Sequence, residues 1–357
     1  MPLAPSSGIS LSHVRANSRR LWPLVALTAV AVVLTGCSSP ETVEPTTSPT
    51  PTYVSTYEAP APSVVAPLTG ETIPAGTALN SSLAAKIDNH SEARPQVGLD
   101  RTDIVFEELV EGGLTRYVAV WQSDIPEEIG PVRSIRPMDP DIVSAFGGII
   151  AYSGGQQRFV QLMQATGVFN AIHGQSSTAD TFYRTKTKKA PHNVLVKATV
   201  VVSQHPEIPA PQQQFAFSLD LASSTAAKDG VPASAVNLVF SKQTAPSWTW
   251  DAAQGKYLRA QLGVADMDSN GAQLTASNMI VIRVGIDKSL GVPKTKLIGS
   301  GEAWVSSGGK TIHATWSKDA PTSPIKLVDD QGVTLRLAPG NSWIELVPTE
   351  GSVTLLP

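Results

Sequence analysis

Cysteine is almost missing from this chain: Cys37 is the only one in 357 residues. An intrachain disulfide, a cysteine-rich zinc site and an iron–sulfur cluster are all excluded. Excess positive charge is missing too. The formal charge is −3, and with Arg15, Arg19 and Arg20 lying ahead of an expected cleavage site, the mature chain keeps 24 basic residues against 30 acidic ones, a net of −6. No global field remains to hold nucleic acid, and no nucleic-acid partner is expected. Nor is there room for a helical bundle, because 28 Pro and 27 Gly interrupt the chain too often. What is present is a 41% hydrophobic content, enough for one large core or two ordinary ones, which rules out complete disorder.

The N-terminus reads as an export address. Arg15, Arg19 and Arg20 precede an apolar run from Leu21 to Thr35, and Leu34-Thr35-Gly36-Cys37 has the form of a bacterial lipobox. Small residues before the cysteine fit a peptidase cleft, and the thiol accepts a diacylglycerol. The run of about 15 residues is shorter than the roughly 20 a membrane span needs. Residues 1–36 are therefore expected to be a lipoprotein signal peptide, with Cys37 lipidated (diacylglyceryl, palmitate-type chains) and holding the protein to the extracytoplasmic face of the cell membrane. Ser18-Arg19-Arg20-Leu21-Trp22 leaves twin-arginine export open beside the general route. Residues 37–66 are rich in Ser, Thr and Pro and cannot build a core, so they read as a tether. Some 30 such residues reach about 30 Å on average.

Two folded regions are expected after the tether, 67–203 and 215–357, joined by the Pro/Gln linker 204–214 and separable by protease if their interface is modest. The fold class is α+β: a mixed α/β N-terminal domain followed by a β-rich C-terminal one. The clearest local signal is a hairpin. Asp103 to Val110 and Thr115 to Trp121 are rich in β-branched and aromatic residues, and Gly112-Gly113 suits a two-residue turn. With that turn Leu109 faces Arg116, and Arg116 lies on one face with Glu107 and Glu111 diagonally to either side.

Several ordered motifs resemble the YerB-like lipoprotein family of Gram-positive bacteria: Lys86-Ile87-Asp88-Asn89, Ala93-Arg94-Pro95-Gln96, Asp103 to Glu107, Val110-Glu111-Gly112-Gly113, Thr115-Arg116, Ile129 to Arg136, Phe182-Tyr183-Arg184 and Ala190-Pro191-His192-Asn193. In the second region Tyr257-Leu258-Arg259, Asp266, Asn278, Gly299-Ser300-Gly301 and Pro339-Gly340 with Trp343 resemble its C-terminal part. The resemblance implies an exported lipoprotein with a mixed α/β domain and a β-rich domain of unknown function. Ile135 departs from the pattern, which leads one to expect a small residue there.

The residues that carry chemistry allow more than one use. Arg94, Arg116, Arg133, Arg136 and Arg184, beside Asp88, Glu107, Glu111 and Asp139, could grip a carboxylate, phosphate or sugar acid in two-point fashion, or could form a structural ion-pair network. His192, with Asn193, could brace a loop, or act as a base if Ser134 or Ser153 came close. Asp88, Glu107 and Glu111 could form a glycosidase pair, although an arginine between the glutamates would keep both ionised. Asp266-Met267-Asp268-Ser269-Asn270-Gly271 opens like a calcium loop, but its twelfth position is Ser277, so an acidic turn is expected. Gly309-Lys310-Thr311 ends like a phosphate loop, but Trp304 occupies the first glycine position, and a two-glycine hairpin explains it. No metal site and no cofactor are expected. The tryptophans 248, 250, 304, 316 and 343 are read as core. The expected function is a non-catalytic binding or scaffolding module at the cell envelope, its partner a wall polymer, a peptidoglycan fragment or an envelope protein. The rival is a wall-modifying hydrolase or transferase using Asp88, Glu111 and His192, and the two part on whether those three groups converge in space.

Overall fold

The structure, a computed structural model, describes residues 55–75 and 80–357. The expected signal peptide and Cys37 lie outside the described residues. Among those described, no helix is long and apolar enough to cross a membrane.

An 11-stranded sheet organises the molecule. From one edge its order is Phe169–Ile172, Ile149–Tyr152, Leu83–Asp88, Thr115–Trp121, Ile104–Leu109, Ser342–Pro348, Asn278–Val284, Gly299–Ser307, Lys310–Lys318 and Val231–Pro232, with Lys326–Val328 also paired to Lys310–Lys318. The central strands read as continuous apolar runs because both of their faces are covered. On one face Phe106, Val118, Ile150 and Ile344 pack with Ile142 of the helix Asp139–Val143 and with Phe159 and Met163 of the helix Gln157–Gln164. On the other, Val105, Tyr117, Ala119, Val281 and Trp343 pack against Val236, Trp248 and Tyr257 of a second, six-stranded sheet. The architecture is α+β with a β-rich C-terminal part, as expected.

The two regions, however, are not separate bodies. Ser342–Pro348, near the C-terminus, inserts between Asn278–Val284 and Ile104–Leu109 and pairs in parallel with both, Ile344 opposite Ile280 and Phe106. Residues 59–357 accordingly form one compact unit, so the condition set for protease separation, a modest interface, is not met. A cut in 204–214 should therefore leave two fragments that stay associated through this ladder, which gel filtration of the nicked protein checks. The tether is also shorter than expected, since Ser63–Val65 pairs with Thr72–Pro74, and Ala66 and Leu68 are buried.

The hairpin differs from expectation by one residue. Leu109 stands opposite Thr115 and Glu108 opposite Arg116, so the turn has three residues, Glu111–Gly113, closed by Val110 N–H donating to the Leu114 carbonyl at 2.8 Å. The cause is tertiary. The Gly113 carbonyl accepts hydrogen bonds from Ser241 Oγ (2.5 Å) and Thr244 Oγ1 (2.9 Å), and at a φ of +75° a Cβ there would stand 2.4 Å from Gln243 Oε1. That docking takes an extra residue and moves Arg116 to the face opposite Glu107. By contrast, Gly308-Gly309 is the expected two-residue turn, with Ser307 opposite Lys310 and both glycines at positive φ.

Trp248, Trp316 and Trp343 are buried as expected, while Trp250 and Trp304 are half-buried against the second core. The calcium-like segment is a clasp: Asp268 Oδ2 accepts the Leu99 N–H at 2.7 Å, Ser269 N–H donates to the Gln96 carbonyl at 2.8 Å, and Asn270 donates to Asp100 at 2.7 Å.

Candidate functional site

A pocket of about 190 Å³ opens at the sheet end where Leu83–Asp88 and Ile104–Leu109 finish and Thr115–Trp121 begins. Asp88, the last residue of its strand, points into it. The segment 131–136 runs alongside, held by Asp88 N–H to the Pro131 carbonyl (2.9 Å), Arg133 N–H to the Lys86 carbonyl (2.8 Å) and Ser153 N–H to the Arg133 carbonyl (2.9 Å). Ile135 on this segment is fully buried, so a large side chain fills the space where a small one was expected. The lining includes Asp88, His90, Glu111, Arg116, Arg133, Arg136 and His192.

Arg116 and Arg136 are held by hydrogen bonds, and Arg133 only by a longer ion pair. Arg116 Nη1 donates to the Ser134 carbonyl at 2.7 Å, and burial, then the neighbouring Arg136 and Arg133, push its guanidinium down to about 10. Arg136 Nε donates to Glu111 Oε2 at 2.8 Å. Burial raises Glu111, but that bond and the nearby arginines outweigh it and hold the carboxylate below its ordinary range. Arg133 Nη1 stands 3.6 Å from Asp88 Oδ2. His192 Nδ1 lies 2.6 Å from the same oxygen, and its ring stacks on His90 with centroids 4.4 Å apart. Below the floor, Lys86 bridges Asp139 Oδ1 (2.7 Å) and Glu108, all three fully buried, and Asp139 Oδ2 accepts the Arg136 N–H at 2.6 Å. Burial lowers the Lys86 ammonium to about 8 against the pull of Asp139.

Asp88, Glu111, Arg116, Arg133, Arg136 and His192 therefore converge, whereas four other expected site residues lie elsewhere. Glu107 faces the opposite side of the sheet, where it accepts from Arg259 Nη2 at 2.5 Å and Thr115 Oγ1 at 2.5 Å, so the expected Glu107–Arg116–Glu111 cluster does not form. Arg94 donates to the Asn89 carbonyl at 3.3 Å and lines a different groove with Asp266 and Met267. Arg184 donates to Asn193 Oδ1 at 2.7 Å, and Asn193 donates to the Thr185 carbonyl at 3.2 Å, so this pair braces a loop. The hydroxyls considered as nucleophiles do not pair with His192: Ser134 Oγ donates to the Ser153 carbonyl, and Ser153 Oγ lies 3.1 Å from His173 Nδ1.

Sequence reasoning missed His90 and Glu92, which with His192 place one ligand atom each within 4.8 Å of one another, where no metal-ligating group was expected. The spacing His90-Ser91-Glu92 was a local signal, but its partner lies 102 positions on. It also missed Lys86, Glu108, Arg259 and Glu345, whose charges sit inside apolar strand patterns.

Comparison with known proteins bears on the whole folded part. Residues 68–208 match the family described as "Protein of unknown function (DUF3048) N-terminal domain", and residues 236–344 match its C-terminal domain. A Bacillus subtilis (strain 168) protein named "Putative lipoprotein YerB" is 26% identical over 291 residues, covering 79% of this chain and 86% of that one. The crystal structure of YerB protein from Bacillus subtilis superposes with a TM-score of 0.71 at 24% identity, covering 82% of this chain and 99% of the other, which shows a shared fold. With both family domains present, in order, and interlocked through one sheet, the chain belongs to the DUF3048 family.

Proposed function

We propose that this protein is a lipoprotein held through Cys37 to the outer face of the cell membrane, and that its pocket binds an anionic group of an envelope molecule without transforming it. The observation that carries the reading is the convergence of Arg116, Arg133 and Arg136 on one pocket of about 190 Å³. Three guanidinium groups face the two lining carboxylates, Asp88 and Glu111, so arginines outnumber carboxylates in the lining. The Arg116 and Arg136 forks, already fixed by backbone carbonyls, lose little freedom on gripping a carboxylate or phosphate, and Arg133 Nη1 has no hydrogen-bond acceptor of its own. A peptidoglycan fragment supplies carboxylates, and a wall polymer supplies carboxylates or phosphates.

A second reading, a wall-modifying hydrolase or transferase, is favoured by one observation: Asp88, Glu111 and His192 do line the same pocket, and Asp88 orients His192 through Nδ1. Against it, Glu111 is tied to Arg136 and stays ionised, which disqualifies it as an acid, and the neighbour of His192 Nε2 is the Glu92 carboxylate at 3.6 Å.

Calorimetric titration of the detergent-solubilised full chain with soluble muropeptides, and separately with inorganic phosphate, tests both readings. Arg133→Ala should weaken binding about ten- to a hundredfold, the worth of a charge-assisted hydrogen bond, and leave the melting temperature nearly unchanged. Equal binding by wild type and variant would refute the anion site. Muropeptides recovered with altered mass would establish the enzyme instead. For the anchor, Cys37→Ala should move the protein from the membrane to the soluble fraction, and an unmodified Cys37 on membrane-bound protein, seen by mass spectrometry, would reject lipidation.

A further inference from the structure

We propose that His90, Glu92 and His192 form a binding site for a divalent transition-metal ion of the zinc class, with Asp88 positioning His192. This inference does not rest on the anion reading.

It starts from geometry. His192 Nδ1 lies 2.6 Å from Asp88 Oδ2, so the other ring nitrogen, Nε2, is the one turned away from Asp88 and available to a ligand. Nε2 faces not a donor but the Glu92 carboxylate, 3.6 Å away. An imidazole nitrogen and a carboxylate oxygen set face to face are bridged by a hydrogen, from the ring or from a water, or by a metal ion. The spacing suits the metal. Two ligands each about 2.0–2.1 Å from a tetrahedral zinc stand about 3.3–3.4 Å apart, within a few tenths of the observed separation. A single proton shared along an N–H···O line would bring the atoms to about 2.7–2.9 Å.

A third ligand is already in place. His90 stacks on His192 with the planes 19° apart, and its ligand nitrogen, that of His192 and a Glu92 oxygen all lie within 4.8 Å of one another. His90 Nδ1 accepts the Glu92 N–H at 3.2 Å, a capping bond worth about 1 kcal/mol that metal ligation would displace. Glu92 is the adjustable member, its side chain 62% exposed on a short 3-10 turn, so it can close the remaining gap without disturbing the core.

The donor set selects the ion. Two imidazoles and one carboxylate suit zinc and its neighbours, whereas magnesium and calcium prefer oxygen alone. A carboxylate on the far nitrogen of a ligating histidine is the usual outer support of such a centre, and Asp88 occupies that position. Three protein ligands leave a fourth coordination place for water or another ligand, and two of the three, His90 and His192, also line the arginine pocket. Their positive charge opposes a cation, and the carboxylates of Asp88, Glu92 and Glu111 oppose that in turn.

The test uses the full chain, purified in detergent without a histidine tag and stripped with a chelator. Zinc is titrated against a chromogenic competitor, and cobalt(II) is added separately for its visible spectrum. One zinc per chain is expected, with zinc raising the melting temperature of the wild type. Glu92→Gln should fold normally because Glu92 is exposed, bind zinc at least tenfold more weakly, and lose the cobalt bands. Asp88→Asn should weaken zinc about 10–100-fold, the effect expected for an outer-sphere carboxylate. Failure of the wild type to bind zinc at micromolar concentration would overturn the proposal and leave the proton as the bridging species. Unchanged affinity in both Glu92→Gln and His90→Asn would overturn it too, placing the bound zinc elsewhere.

Discussion

Replacing Arg259 by methionine should cost the fold about 3–5 kcal/mol, the loss expected when one partner of a buried ion pair is removed. Arg259 is fully buried and ion-paired with Glu107 and Asp266. Its guanidinium lies 5.0 Å from the Trp343 ring centre, 5.3 Å from Tyr117 and 5.8 Å from Trp248, a dry aromatic surround that would stabilise the cation and leave bare carboxylates very costly. The ion pairs also join the two family domains, Glu107 coming from the first and both Arg259 and Asp266 from the second. Glu345 supplies an internal control. It stands in register beside Glu107, and burial, then the Glu107 charge, raise it far above the ordinary carboxylate range, which favours its neutral form; it accepts from Trp248 Nε1 at 2.7 Å. Glu345→Gln preserves a neutral group of the same shape and should cost under about 1 kcal/mol, whereas Glu107→Gln leaves Arg259 with Asp266 as its remaining anionic partner and should cost more than Glu345→Gln but less than Arg259→Met. Denaturant unfolding of the three variants decides the matter. A loss below about 1 kcal/mol for Arg259→Met would show that the triad is dispensable, as some buried ion networks are.

Lys86→Met should also destabilise by about 3–5 kcal/mol, and where Arg133→Ala is expected to weaken anion binding alone, Lys86→Met should lower both stability and binding. The methionine leaves Glu108 and Asp139 facing one another in a dry interior on the helix-covered face of the sheet. Asp139 is the link to the pocket, because its second oxygen holds the Arg136 backbone N–H at 2.6 Å. When that carboxylate loses Lys86 and takes up a proton or shifts, the Arg136 fork moves with it. Lys86→Met/Glu108→Met should regain part of the stability, since one of the two stranded carboxylates is gone. Unfolding curves and the phosphate titration together check this. A Lys86→Met protein with lowered stability but unchanged binding would detach the floor from the site.

The difference between Arg116 and Lys86 shows where sequence reading stops. Alternating and continuous apolar runs are properties of neighbouring residues, so the strands around Ile104, Val118 and Ile280, the Gly308-Gly309 turn and the α+β class could be read directly. The pocket was partly legible because Asp88, Glu111, Arg116, Arg133 and Arg136 fall on turns and strand ends that the main sheet gathers at one end. Which face Arg116 occupies was not legible. A two-glycine turn tolerates a loop of two or three residues equally well, and the choice was made by Ser241 and Thr244 gripping the Gly113 carbonyl from more than 120 positions away.

The chain alone thus determined its lipobox-like motif, its strands and the polar residues available to a site, all of which depend on short-range pattern and composition. Tertiary structure decided which charges meet. Glu107 found Arg259 at a separation of 152 residues, His90 found His192, and Ser342–Pro348 entered the sheet beside Ile104–Leu109. Those pairings follow from which apolar faces can be buried together, and that is a global choice: a charge inside a strand pattern has no local partner, and its cost is met only where the second half of the chain closes over it.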